Sequence, residues 1–417
     1  MVETNVKWIG KIPDNWEINK IGQLFNLRNE KVSDKDYSPL SVSKGGIVPQ
    51  MESVAKSDAS DDRKLVLTGD FAINSRSDRK QSCGVSDYDG SVSLINMVLY
   101  QKKDNILYRN YLNYLLKNHG FAEEFYRWGH GIVADLWTTK WQEMKNIILP
   151  FPSYENQVLL TNYLDKKIDS IDKLINNETE QLEQLREYKQ TIITEVMTRG
   201  VGNKHGYVVS GVDWIGEIPS NWTISRLKYV ANVKDGLVDP TNPVYAEYPH
   251  IGPGNIEKFT GRLLDYKLVK DEGLISGKYL FDENDIIYGK INPQLGKVTY
   301  PRFKGLCSAD SYALSVDTKK IEIEFLLYWF LTKKFINRTI LESMRMGMPK
   351  INREDLMKLE VVLPSLEEQK EVINKIKRKN DIIDKSISIK EKKIELLEEY
   401  KKSLIYEYVT GKKEVVA

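Results

Sequence analysis

From about Ser153 to Arg199 the chain contains no Pro and no Gly, and its apolar residues fall on one stripe. Steps of four and three from Leu164 reach Ile168, Ile171, Ile175, Glu178, Leu182, Leu185, Lys189, Ile192 and Val196, and eight of these ten positions are apolar. That spacing predicts a long helix with a heptad seam. A second stripe, 212 residues later, runs through Ile376, Asn380, Ile383, Ile387, Lys390, Ile394, Leu397, Lys401, Leu404 and Tyr408, with more polar breaks. Ser365 and Glu368 have the spacing of a capping box, and Gly200 and Gly411 stand where the helices should end. Each helix is expected to hold ~45 residues and to be roughly 65–70 Å long. A bundle core would also produce such stripes. Mutual antiparallel pairing is favoured, because each helix has the same seam and two-fold symmetry makes equivalent helices antiparallel. In that register Glu178 is expected to face Lys390.

Outside these helices the pattern changes to short apolar runs between clusters of Gly, Ser and Asp, which read as strands and turns. In the first part these are Lys64–Leu67, Phe71–Ile73 and Asn96–Tyr100; in the second, Tyr279–Phe281, Asp285–Tyr288 and Ser311–Val316. Amphipathic helices follow over Tyr108–Lys117 and Ile323–Lys333. The expected fold is mixed α/β (α+β), with two pseudo-symmetric globular domains joined by two long helices in an antiparallel coiled coil. The expected boundaries are 1–152 and 207–364 for the domains, 153–206 for the central helix and linker, and 365–417 for the C-terminal helix and tail.

The duplication is written in the sequence itself. Trp8-Ile-Gly-Lys-Ile-Pro-Asp-Asn-Trp16 returns as Trp214-Ile-Gly-Glu-Ile-Pro-Ser-Asn-Trp222, 206 residues on. Pro152-Ser-Tyr-Glu-Asn-Gln157 returns as Pro364-Ser-Leu-Glu-Glu-Gln369, and Glu187-Tyr-Lys189 as Glu399-Tyr-Lys401, both offset by 212. A period this long is a duplicated domain-plus-helix, far above the roughly 20–50 residues of a solenoid repeat.

Composition narrows the function. The 61 Lys+Arg against 59 Asp+Glu leave a net charge of +2, so nonspecific nucleic-acid binding through bulk charge is disfavoured and any DNA contact must come from local patterning. No apolar run reaches the ~20 residues of a membrane span, and the N-terminus lacks signal-peptide character. Two cysteines, one in each half, offer no disulfide framework and point to a reducing cytoplasm. There is no Walker A loop, and the four histidines do not combine with Cys83 or Cys307 in a zinc spacing. Asn242-Pro-Val-Tyr245 resembles the Asn-Pro-Pro-Tyr of adenine methyltransferases, but no glycine-rich cofactor loop precedes it and the first half has no copy. No catalytic, metal or cofactor residue is therefore assigned in this chain.

The candidate contacts lie where the two frames match and the loops diverge. Arg76, Arg79, Lys80, Gln81 and Arg127 are the candidates in the first half; Lys290, Asn292, Gln294, Lys297, Arg345 and Lys350 are those in the second. Arg and Lys pair with guanine edges and Asn or Gln with adenine, while glycines beside Arg127 and Arg345 permit close backbone approach. The same residue types also populate any solvated loop, and both readings stay open here.

The ordered, doubled motifs, together with Ile251-Gly-Pro-Gly-Asn-Ile256, resemble the specificity subunits of type I restriction–modification systems over essentially the whole chain. The resemblance implies two target recognition domains, each reading half of a bipartite site on double-stranded DNA. It implies a coiled coil, with its seam at Ile168, Ile171, Ile175, Leu182, Leu185, Ile192, Ile383, Ile387, Ile394, Leu397 and Leu404, that sets the spacer and docks two methyltransferase subunits. S-adenosylmethionine would reside in those partners, and ATP and Mg in restriction subunits. Four extra helical residues would lengthen the coil by ~6 Å, about two base-pair steps. The rival is a coiled-coil adaptor whose two domains bind protein or glycan without DNA.

Overall fold

The computed structural model describes residues 1–50, 62–76, 79–131, 137–202, 206–343 and 348–415. The chain divides into two compact units, Met1–Glu178 with Lys392–Ala417, and Thr179–Glu391. Both boundaries fall inside long helices, which span Tyr154–Arg199 and Leu366–Val409. Each unit therefore consists of one globular half with a length of each helix.

In the first unit an antiparallel four-stranded sheet runs in the order Cys83–Val85, Phe71–Asn74, Asn96–Gln101, Phe25–Arg28. A three-stranded sheet of Gly90–Ser93, Arg63–Val66 and Lys31–Val32 lies beside it in sequence. Helices Arg109–Lys117 and His119–Arg127 follow. Alternation places Phe71, Ile73, Met97 and Leu99 on the face that packs against Tyr111, Leu112, Leu115 and Phe121. The same core takes in Leu160, Leu164, Ile168 and Ile171 of the first long helix and Leu404, Tyr408 and Val409 of the second. The helices are thus part of the domain core at their outer ends.

The second unit repeats the plan. Its four-stranded sheet runs Ala231–Val233, Ser311–Val316, Asp285–Gly289, Val298–Thr299, and its core continues into Ile192, Val196, Val372, Ile376 and Ile383. A five-stranded sheet carries a parallel pair, Pro249–Ile251 with Gly305–Cys307. Helices Ile323–Phe330 and Lys333–Ser343 occupy the places of the first unit's pair.

The duplicated motifs are the joints between domain and helix. Gln157 is fully buried; its Oε1 accepts from the Tyr108 N–H at 2.7 Å, and its Nε2 donates to the carbonyls of Pro152 at 3.0 Å and Ile106 at 3.3 Å. Gln369 does the same, accepting from Glu322 N–H at 2.7 Å and donating to Pro364 at 3.0 Å and Lys320 at 3.1 Å. One side chain so satisfies the backbone at the start of a domain helix and the start of a long helix. The closing tryptophans meet the other helix ends. Gly200 and Gly411 have φ of +72° and +71°, and a Cβ on either would stand 3.1 Å from the ring of Trp222 or Trp16. Positive φ and a crowded site both require glycine there.

Ser365 and Glu368 form the expected reciprocal cap, with the Glu368 N–H donating to Ser365 Oγ and the Ser365 N–H to Glu368 Oε2, each at 3.3 Å. Within each unit the helices run antiparallel. Asp172 pairs with Lys401 at 2.6 Å and Glu178 with Lys393 at 2.6 Å in the first unit. In the second, Lys189 pairs with Asp384 at 2.6 Å, and Lys390 donates to Gln181 at 2.5 Å. An offset of 212 converts each pair of the first unit into a pair of the second, so the duplication extends to the pairing of the helices. It accounts for the repeated lysine of Glu-Tyr-Lys. Ile175, Leu185, Ile387, Ile394 and Leu397 of the seam are half-buried, and Ile168, Ile171, Leu182, Ile192, Ile383 and Leu404 are buried. No helix among the described residues is long and apolar enough to cross a membrane.

A stability prediction follows from the glutamines. Gln369→Leu leaves the Glu322 N–H and two carbonyls unpaired, and an orphaned buried polar group costs about 1–3 kcal/mol. The expected result is a loss of about 2–4 kcal/mol in chemical denaturation. A variant as stable as wild type would show that the joint is not held this way.

Candidate nucleic-acid interface

The first cluster sits at the end of the Phe71–Asn74 strand. Arg76 is exposed, its N–H donates to Asn74 Oδ1 at 3.0 Å, and its backbone bridges Thr138. The strand end and the segment around Thr138 are thereby tied together. Arg76, Arg79, Lys80 and Gln81 line one cleft with Phe125 and Tyr126. Lys80 Nζ lies 4.2 Å from the centroid of the Tyr126 ring and 3.0 Å from Glu123. Trp137 stacks on Tyr126 with centroids 5.6 Å apart. Gln81 has φ of +63° and its Nε2 donates to Lys117 O at 3.5 Å. Arg127 forks onto the buried Glu124 at 2.6 and 2.9 Å, which also accepts from Trp128 Nε1 at 2.8 Å. That pairing raises the Arg127 pKa. Arg76, Arg79, Lys80 and Gln81 are brought together, while Arg127 is not among the residues that line their cleft; they also differ in freedom, Arg127 being engaged by a buried carboxylate and Lys80 by a carboxylate and a ring.

The second cluster follows the equivalent strand, Asp285–Gly289. Ile291 bridges Lys350, the Asn292 N–H donates to Pro349 O at 2.8 Å, and Asn292 takes a left-handed φ of +50°. Gln294 is exposed and its Nε2 donates to Asn292 Oδ1 at 3.3 Å. Lys290 is buried over the Tyr312 ring at 5.0 Å; burial first, and the Lys350 ammonium second, hold its pKa below the ordinary lysine value. Lys297 donates to the carbonyl of Pro253, and burial, then Lys258, lowers its pKa. This contact ties the Ile251–Ile256 segment to the loop. Lys350 is exposed. Arg345 lies outside the described residues.

Sequence reasoning missed Trp137 and the carboxylates. Glu124 stands three residues before Arg127, a helical spacing that would have signalled the pair. Trp137 lies ten residues beyond Arg127 in the sequence and carried no such signal. The Asn242–Tyr245 segment forms a short 3-10 turn in which Asn242 Oδ1 accepts from the Val244 N–H at 3.1 Å and Val244 is 69% exposed. Its asparagine serves the backbone. Cys83 and Cys307 are buried and both thiols are pushed up to about 12, chiefly by burial. At pH 8 about one thiol in ten thousand is ionised; iodoacetamide is expected to label neither until denaturant is added, and labelling of the native chain would refute that.

Residues 219–399 match the family model for the type I restriction modification DNA specificity domain. The chain is 26% identical over 389 residues to the type I restriction enzyme EcoDI specificity subunit of Escherichia coli, covering 88% of this chain and 82% of that one. It is 24% identical over 431 residues to the putative type I restriction enzyme MjaX specificity subunit of Methanocaldococcus jannaschii, covering 97% and 95%. The second half of the chain thus matches this family's model, and nearly the whole chain is similar to type I specificity subunits. A solved chain from a study of complex assembly and conformational transition of the type I system shares this chain's fold, with a TM-score of 0.70 at 14% identity over 97% of this chain and 100% of that one.

Proposed function

We propose that this specificity subunit reads a bipartite DNA site, one half with each unit, and brings two methyltransferase subunits to the adenines within it. The observation that carries the reading is the repetition of one frame with two unlike polar clusters at the same strand end, 76–81 and 290–297. Matching frames present loops in the same manner, while unlike side chains read unlike bases. The near-neutral chain would then take part of its phosphate grip from its partners. Those partners would hold S-adenosylmethionine and extrude the target base, and restriction subunits, where present, would use ATP and Mg. The long helices would set the distance between half-sites and dock the methyltransferases.

The test is genome-wide adenine methylation in a host carrying the chain with its methyltransferase, against a deletion of the chain. A split motif that disappears on deletion is the expected result. Unchanged methylation, with a verified active methyltransferase, would favour an adaptor that does not bind DNA.

A further inference from the structure

The first unit pairs most of the basic side chains around its candidate interface. Arg127 is held by Glu124, Lys80 by Glu123, Arg109 by Asp87 and Lys401 by Asp172. Lys117, Lys402 and His119 depart from this pattern. Their side chains make no ion pair among the described residues, and all three line one open cleft with Asn113 and Lys401. Among the described residues two carboxylates reach lining residues, and both are engaged, Asp165 by Tyr114 Oη at 2.6 Å and Asp172 by Lys401. Cations gathered around a cleft repel one another unless an anion enters it. Gln81 lines this cleft as well as the one formed by Arg76, Arg79 and Lys80, so the two adjoin.

We propose that the cleft holds a backbone phosphate of the DNA, gripped by Lys117 and Lys402 and placed beside the bases read by the 76–81 loop. The proposal rests on the DNA-reading function above. Its adjacency to that loop favours a nucleic-acid phosphate over a partner's acidic side chain. The grip belongs to the first unit. Asn118 and Thr332 cap corresponding helices, accepting from Phe121 N–H and Phe335 N–H at 3.0 and 3.2 Å. That correspondence places Leu331 opposite Lys117 in the duplication, and the helix offset places Gln190 opposite Lys402. The second unit has no cation at either position.

The experiment measures DNA affinity against salt for the specificity subunit assembled with its methyltransferase. The probes are a duplex carrying the split motif found by methylation mapping and a scrambled duplex. Replacing both lysines, Lys117→Gln together with Lys402→Gln, removes that one phosphate contact and is expected to reduce the slope of log K against log salt by about 0.9, with each single variant falling between it and wild type. The affinity lost between 50 and 200 mM salt then shrinks about 3.5-fold in the double variant, equally on both duplexes, with the methylated motif unchanged. A folded double variant with wild-type slope and affinity would overturn the proposal. So would a double variant with an unchanged unfolding midpoint that no longer binds methyltransferase, since the cleft would then be a protein contact. A wild-type complex that does not distinguish the two duplexes would instead refute the DNA-reading function, and the slope would still report on the cleft.

Discussion

Four residues inserted between Glu178 and Thr179, matched by four between Glu391 and Lys392, are expected to move methylation to sites whose spacer is about two base pairs longer. Both insertions fall at the boundary of the units, inside helices unbroken on either side. Four helical residues add ~6 Å and turn the helix ~40° beyond a full turn. Two base-pair steps add ~6.8 Å, so length and spacing nearly agree. The seam is shifted by four in a seven-residue repeat, a stutter that locally unwinds a coiled coil without breaking it. The domain joints at Gln157, Gln369, Gly200 and Gly411 lie far along the sequence from either insertion, so each unit keeps its core and its loops. Methylation at the original sites should fall by at least ~100-fold, because one half-site contact set is lost and each well-made base contact is worth ~1–3 kcal/mol. Methylation mapping decides the matter. If the half-site bases change while the spacer stays fixed, the helices do not act as the ruler.

The helices and their caps were legible because each rests on a local or periodic signal. A heptad stripe, a Ser-x-x-Glu pair and a terminal glycine are readable from neighbours in the chain. Strands such as Phe71–Asn74 and Ser311–Val316 were visible for the same reason, as short apolar runs between turn residues. The duplication added something a single domain would not give, since it marked Gln157 and Gln369 as special before their role was visible. That role was not readable, because a glutamine that bonds Tyr108 and Ile106 acts across some 50 residues of chain. The candidate site was legible only as a set of loops. Sequence named Arg76, Lys80 and Arg127 as equals, whereas Glu124 and Glu123 divide them by engaging two and leaving the first. Such partners are set by the packing of one helix over a strand end, a long-range fact with no sequence period. The Lys117–Lys402 cleft was invisible for the same reason, its two lysines lying in segments 285 residues apart.

That division among the basic residues yields the second large effect, in which two arginines of the first unit fail in different ways. Arg76→Ala is expected to lose recognition at a single half-site, weakening discrimination there by ~1–3 kcal/mol, about 5- to 150-fold. The fold should be untouched, since the contacts that fix the loop here come from the Arg76 backbone, through Asn74 and Thr138. Arg127→Ala should behave in the opposite way. Its guanidinium is the forked partner of Glu124, whose side chain is 6% exposed, and its loss leaves that carboxylate with Trp128 Nε1 as its remaining donor among the described residues. Arg127 itself is 62% exposed, so solvent screens much of the pair. The expected cost is about 1–2 kcal/mol of stability, from under-solvated charge more than from lost attraction. Thermal unfolding and methylation mapping on both variants separate the two effects. If Arg76→Ala lowers the unfolding midpoint and leaves both half-sites intact, it belongs to the scaffold. If Arg127→Ala keeps full stability and relaxes one half-site, the Glu124 fork opens on DNA and Arg127 is the reader.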